Sequence, residues 1–225
     1  MTGGALDAAA LVLPLAMGVA LSPFPVVGAI LVLSGPRATT AGPAFAAGFV
    51  AGLAALTALA VALLDGAGQS AGPLANLIRL GAGLGLLAAA AAKWRGRPRG
   101  GAAAPVPGWM AALGEARPLR AFGIGAALGG INPKNIAFAA GAAGSIAGLG
   151  LTGRGAAGPA LAFVLLGSAS VLAATAARLV AGKAATRGLD AARAFMIENG
   201  PVILAVVFSI LGVKLAGEGL AGLLQ

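Results

Sequence analysis

Long apolar blocks separated by short polar connections make up nearly the whole chain. Several blocks reach the roughly 20 residues that an α-helix needs to cross a bilayer. The pattern therefore predicts an all-α integral membrane protein with six transmembrane helices. These are expected at residues 8–33, 42–64, 73–92, 119–147, 157–181 and 200–223.

Proline motifs interrupt the first and fourth predicted helices. Residues 22–25 read Ser-Pro-Phe-Pro, and residues 132–135 read Asn-Pro-Lys-Asn. Because proline lacks a backbone donor and clashes with the preceding turn, both helices are predicted to break there. Broken helices at matching places of two halves point to a transporter's binding site near the bilayer midplane. The alternative is that the prolines only kink the helices and the asparagines satisfy backbone groups.

The two halves of the chain resemble each other, which predicts two inverted three-helix repeats. Each half has a broken helix first, and Ala-Gly-Pro-Ala then opens the next helix, at residues 41–44 and 157–160. Residues 1–92 and 119–225 are the expected repeats, joined by a basic cytoplasmic linker at 93–118 within one membrane domain. Faces rich in small residues are compatible with a homodimer.

Basic residues lie mostly in the first, third and fifth connections between the predicted helices. The positive-inside rule then puts both termini outside a cytoplasmic membrane. This placement also accounts for the net charge of +9 without nucleic acid.

The chain contains no histidine and no cysteine, and no acidic residue falls in the middle of a predicted helix. We therefore expect no catalytic residues, no metal site and no cofactor, and hence no enzyme. Without an intramembrane carboxylate, an anionic or neutral polar cargo is favoured over a cation. Sodium coupling stays open because unwound backbone carbonyls can hold that ion.

Lys134 is the residue most directly linked to a cargo, since a lysine near the midplane is costly unless it faces a cavity or a partner. Binding to carbonyl oxygens or a misplaced helix boundary would also explain it. Arg79 and Lys214 either extend a cationic path outwards from Lys134 or snorkel at the outer rim. Glu218, four residues after Lys214, has the spacing of a helical ion pair.

At these motifs the chain resembles the LysE superfamily of small exporters, and in particular its GAP family, named for peptidoglycolipid addressing. The resemblance rests on residues 21–25, 34–37, 45–52 and 132–135, and its six-helix plan covers nearly the whole chain. It implies a bacterial inner-membrane protein whose cargo is a cell-envelope lipid or glycolipid. Binding roles are implied for the two motifs. The residues concerned are Ser22, Pro23, Pro25, Asn132, Pro133, Lys134 and Asn135.

The sequence thus predicts a transporter that exports or flips an amphipathic, anionic envelope lipid or its head group. Two alternatives remain, an exporter of a small water-soluble solute such as an amino acid and a non-transporting accessory subunit of envelope-lipid assembly. A groove open to lipid would favour the first prediction, and an occluded polar cavity would favour the soluble cargo.

Overall fold

A computed structural model describes residues 2–65, 71–97 and 112–224. These residues form nine α-helices and two short 3₁₀ helices, without any strand. The α-helices are α1 Thr2–Ala20, α2 Pro23–Ser34, α3 Ala38–Asp65, α4 Ala71–Arg95, α5 Pro118–Gly130, α6 Pro133–Gly148, α7 Arg154–Gly167, α8 Ala169–Ala181 and α9 Thr186–Leu223. The 3₁₀ helices are Ala112–Glu115 and Gly182–Ala185. The prediction of an all-helical protein is confirmed, whereas residues 98–111 of the predicted linker lie outside the described residues.

Three of the described helices, α3, α4 and α9, are long and apolar enough to cross a membrane. The number rises to five when the bent pairs α1–α2 and α7–α8 each count as one span. The pair α5–α6, which corresponds to the fourth predicted helix, is not among them. The described residues therefore support a multi-pass membrane protein, and the six-helix plan stays a prediction.

Helix α9 and the α7–α8 pair differ from the sequence-based expectation. The fifth predicted helix, at 157–181, corresponds to the α7–α8 pair, and the chain bends by 54° at Ser168, where no break was expected. The sixth helix begins at Thr186 and not near residue 200, so it contains 38 residues and runs through Pro201. Residues 186–199 are rich in good helix formers, and Leu189 packs in one apolar cluster with Ile30 and Leu33 of α2. These contacts extend the helix beyond the apolar block that the sequence marks.

Glycines bring the backbones of helix pairs into direct contact. Gly48 and Gly52 of α3 face α5, while Gly125 and Gly129 of α5 face α3. A Cβ at any of these four positions would overlap a backbone carbonyl of the opposite helix. Such small-residue contacts replace the hydrophobic driving force that is missing between helices in lipid. They fix α5, and with it the approach to the second proline motif, against α3.

Candidate functional site

The first proline motif separates α1 from α2, and the two helices meet at an angle of 47°. Ser22 has an extended backbone (φ −77°, ψ 123°), and Pro23 occupies the first turn of α2. The Ser22 N–H donates to Val19 O and Pro23 has no N–H, so the helical hydrogen-bond ladder stops here. Ser22, Pro23 and Pro25 are buried. The predicted break in the first helix is confirmed.

The second proline motif separates α5 from α6, with Asn132 extended (φ −68°, ψ 122°) as the N-cap of α6. The Asn132 Oδ1 accepts a hydrogen bond of 3.3 Å from the Lys134 N–H, as N-cap side chains do. Pro133 cannot supply the donor that Gly129 O would receive in a continuous helix. The fully buried Asn135 replaces it, because its Nδ2 donates to Gly129 O at 2.9 Å and to Leu128 O at 3.0 Å. The Asn135 side chain therefore joins the two half-helices.

Lys134 lies on the first turn of α6 and is half-buried. Its Nζ donates to Asn135 Oδ1 at 2.7 Å and lies 5.9 Å from the centroid of the Phe138 ring. An ammonium group has three donors, so donor capacity remains for an anionic group. Among the described residues, Lys134 forms no salt bridge.

The structure brings the two motifs together. Gly18, one turn before the first break, faces Phe138 of α6, and a Cβ added to Gly18 would lie 2.6 Å from Phe138 Cζ. On another side, a groove of about 720 Å³ is lined by Phe24 from the first motif and by Asn132 and Pro133 from the second. Residues of α5 complete its wall, which is mostly apolar.

The groove is open rather than enclosed, as the exposure of its large apolar side chains shows. Phe24 is 40% exposed and Ile131 is 75% exposed. The Nζ atom of Lys93, at the end of α4, lies 6.0 Å from the centroid of the Phe24 ring. The groove therefore combines an apolar wall with a cation at one edge.

Arg79 and Lys214 lie apart from the two motifs. The Arg79 guanidinium donates to Gly144 O, near the C-terminal end of α6, and to Asn76 Oδ1 at 3.0 Å. Gly144 is ten residues beyond Lys134, which corresponds to about 15 Å along a helix. Lys214 forms an ion pair with Glu218 at 3.8 Å, with both side chains 33% exposed. A cationic path from Lys134 outwards therefore stays a prediction for these two residues.

The bend at Ser168 and its contact with the first break were not predicted from the sequence. The Ser170 Oγ donates to Ala20 O at 2.6 Å, which connects the start of α8 to the end of α1. Helices often kink at adjacent glycine and serine residues, so Gly167-Ser168 was the signal present in the sequence.

Several apolar helices, two pairs of them sharply bent, define a multi-pass membrane protein. The family model described as Sap, sulfolipid-1-addressing protein (SfLAP) matches residues 12–221, and the chain belongs to this family. The match agrees with the lipid-addressing kind of family that the sequence resembles. No curated protein and no solved structure gives a match.

Proposed function

We propose that the protein exports or flips an amphipathic, anionic envelope lipid or glycolipid, or its head group, across the bacterial cytoplasmic membrane. The main support for this proposal is the open apolar groove between the two proline motifs. An acyl chain can occupy such a groove while it stays in contact with the bilayer. The family's name, which refers to the addressing of a sulfolipid, supports a lipid cargo.

The polar end of the cargo would bind where the half-helices α2 and α6 begin. Helix N-termini carry partial positive charge and favour anions. Lys134 follows Pro133 of the groove wall directly and retains free donors, while Lys93 supplies a second cation near Phe24. Together these groups favour an anionic head group over a cationic one.

The helix contacts support an inverted repeat. The first half of each broken helix packs on the helix that follows the broken helix in the opposite half. Thus α1 packs on α7, and α5 packs on α3. The last helices of the halves, α4 and α9, pack along each other. Pro43 and Pro159 each lie five residues after the start of α3 and α7. We propose that one repeat rocks against the other, with both termini outside and the basic connections in the cytoplasm.

We also propose that the protein forms a homodimer through α4. Gly81 and Gly85 lie one turn apart on α4, and both are exposed with open space around them. Glycines with this spacing bring transmembrane helices of two copies into close contact.

A liposome assay of lipid translocation tests the transport proposal. A fluorescent anionic lipid would be followed from one leaflet to the other with wild-type protein, Lys134→Gln and Lys134→Arg. Losing a hydrogen bond to a charged group costs about 1.5–3 kcal/mol. Lys134→Gln should therefore slow translocation by about tenfold or more, with Lys134→Arg retaining part of the rate.

A second pair of variants tests the groove. Gly123 lines the groove, and a Cβ added there would have no neighbouring atom within 4 Å, so Gly123→Leu should fold normally and obstruct the acyl chain. Gly217→Leu is the matched control, because Gly217 is equally open but lies on α9 outside the groove. Equal rates in wild type and all variants would contradict the proposed pathway. An inactive wild type would instead favour a soluble cargo or an accessory subunit.

A further inference from the structure

The first break and the bend at Ser168 form one buried junction. Ser170 at the start of α8 donates to Ala20 O at the end of α1. A Cβ added to Gly167 would lie 3.3 Å from Val19 Cβ. The first break and the bend at Ser168 therefore pack against each other.

Two serine hydroxyls are buried at this junction without a hydrogen-bond partner in the described part of the chain. Ser22 and Ser168 are both 0% exposed, and neither Oγ atom has such a partner. The buried Thr57 and Thr175 behave differently, since each hydroxyl donates to the carbonyl one turn back, at 2.7 Å and 2.8 Å. An unpaired buried hydroxyl is destabilising, so a partner other than the described residues would stabilise these two serines.

Backbone oxygen atoms are also available at the junction. In a continuous helix the Ser22 N–H would bond to Gly18 O, but it donates to Val19 O. Pro23 contributes no N–H to Val19 O, which accepts from Ser22 instead, and Ala20 O accepts from Ser170 Oγ. A carbonyl oxygen has two lone pairs, so each of these two carbonyls retains one for a further ligand. The C-terminal end of a helix carries partial negative charge. The junction thus offers hydroxyl and carbonyl oxygens together.

Helix α6, which carries Lys134, and the bend at Ser168 pack against different faces of α1. Gly18 faces Phe138 near Lys134, whereas the next residue, Val19, faces Gly167. Consecutive residues of an α-helix point about 100° apart, because a turn holds 3.6 residues. The Lys134 Nζ is held by Asn135 Oδ1 on its own helix.

We propose that the junction of Ser22 and Ser168 binds a sodium ion. Hard cations take oxygen ligands, and transporters hold sodium with unwound carbonyls at the C-terminal ends of half-helices. A ligand set of hydroxyls and carbonyls without a carboxylate suits a monovalent ion better than a divalent one. The sodium site goes beyond the proposed lipid transport, and sodium binding there does not require a lipid cargo.

Thermal unfolding of the purified full-length protein in detergent tests the site. The midpoint, followed by circular dichroism, would be compared in sodium, potassium and choline chloride at equal concentrations. An ion that binds only the folded state raises its stability in a saturable way. We expect the midpoint to rise with sodium alone.

Ser22→Ala and Ser168→Ala should remove the sodium-dependent shift. In choline chloride their midpoints should equal or exceed that of the wild type, because each variant deletes an unpaired buried hydroxyl. Thr175→Ala is the control, since that hydroxyl is already bonded, and it should retain the sodium shift. A purely structural role of the serines would lower the midpoint in every salt.

Binding of radioactive sodium to wild-type protein gives a readout that depends on no variant. Saturable binding that unlabelled sodium displaces and potassium does not displace would support the site. Equal wild-type midpoints in the three salts, or absence of saturable binding, would overturn it. A sodium shift that persists in both serine variants would also overturn it. None of these outcomes depends on lipid transport. The sodium site can therefore be rejected without rejecting lipid transport, and the reverse also holds.

Discussion

At the second break the Asn135 side chain donates to the carbonyls of Leu128 and Gly129, whereas at the first break the Ser22 hydroxyl has no hydrogen-bond partner among the described residues. Both breaks begin with a polar residue followed by proline, and both leave half-helix ends inside the protein. The second break satisfies its own backbone and carries a lysine. The first break leaves the Ser22 hydroxyl for a partner other than the described residues. Similar proline motifs therefore give one break that stabilises itself and one that is suited to bind an ion.

Replacing Asn135 by alanine should have the largest effect on stability. Two carbonyls at the end of α5 would lose their donors, and each unsatisfied buried group costs about 1–3 kcal/mol, or roughly 2–6 kcal/mol together. Thermal unfolding of the purified variant measures this loss. Asn199→Ala is the matched control, because Asn199 donates to Phe195 O on an exposed helix face. An Asn135→Ala variant as stable as this control would show that the second break does not depend on its asparagine.

Arg79→Gln should have an intermediate effect. The Arg79 guanidinium connects α4 to the C-terminal end of α6, and its charge complements the helix dipole there. A hydrogen bond to a charged group contributes about 1.5–3 kcal/mol, and thermal unfolding would measure its loss. Lys214→Gln is the control and should change stability least, by about 0.3–0.5 kcal/mol, as for an exposed helical ion pair. Equal losses in the two variants would contradict a structural role particular to Arg79.

Part of the fold follows from local sequence, because a proline removes a backbone donor and favours an extended conformation at the residue before it, as at Ser22 and Asn132. The two breaks were predictable for this reason, whereas the ion pair of Lys214 with Glu218 was predictable from its i,i+4 spacing. The start of α9 at Thr186 was not, because charged residues at 187–198 resemble a connection and only tertiary packing holds Leu189 in place.

The candidate site was predictable in part. The sequence indicates which residues carry the motifs, but it does not show that Asn135 bonds back across the break. That contact requires the folded position of α5 against α6. The partner of Arg79 is likewise a backbone carbonyl 65 residues away, which no side-chain pattern encodes. The groove, finally, depends on the approach of Phe24 to α5, which the sequence leaves undefined.

We expect a lipid chain in the groove between the two breaks, and photo-crosslinking in bacterial membranes would detect it. A photoreactive amino acid would replace Ile131 in the groove or Val213, which is 63% exposed on α9 outside it. We predict a lipid adduct with a higher yield at position 131 than at position 213, and a loss of the excess when Gly123→Leu is added. Equal yields at the two positions, or an excess at 131 that Gly123→Leu leaves unchanged, would contradict the account.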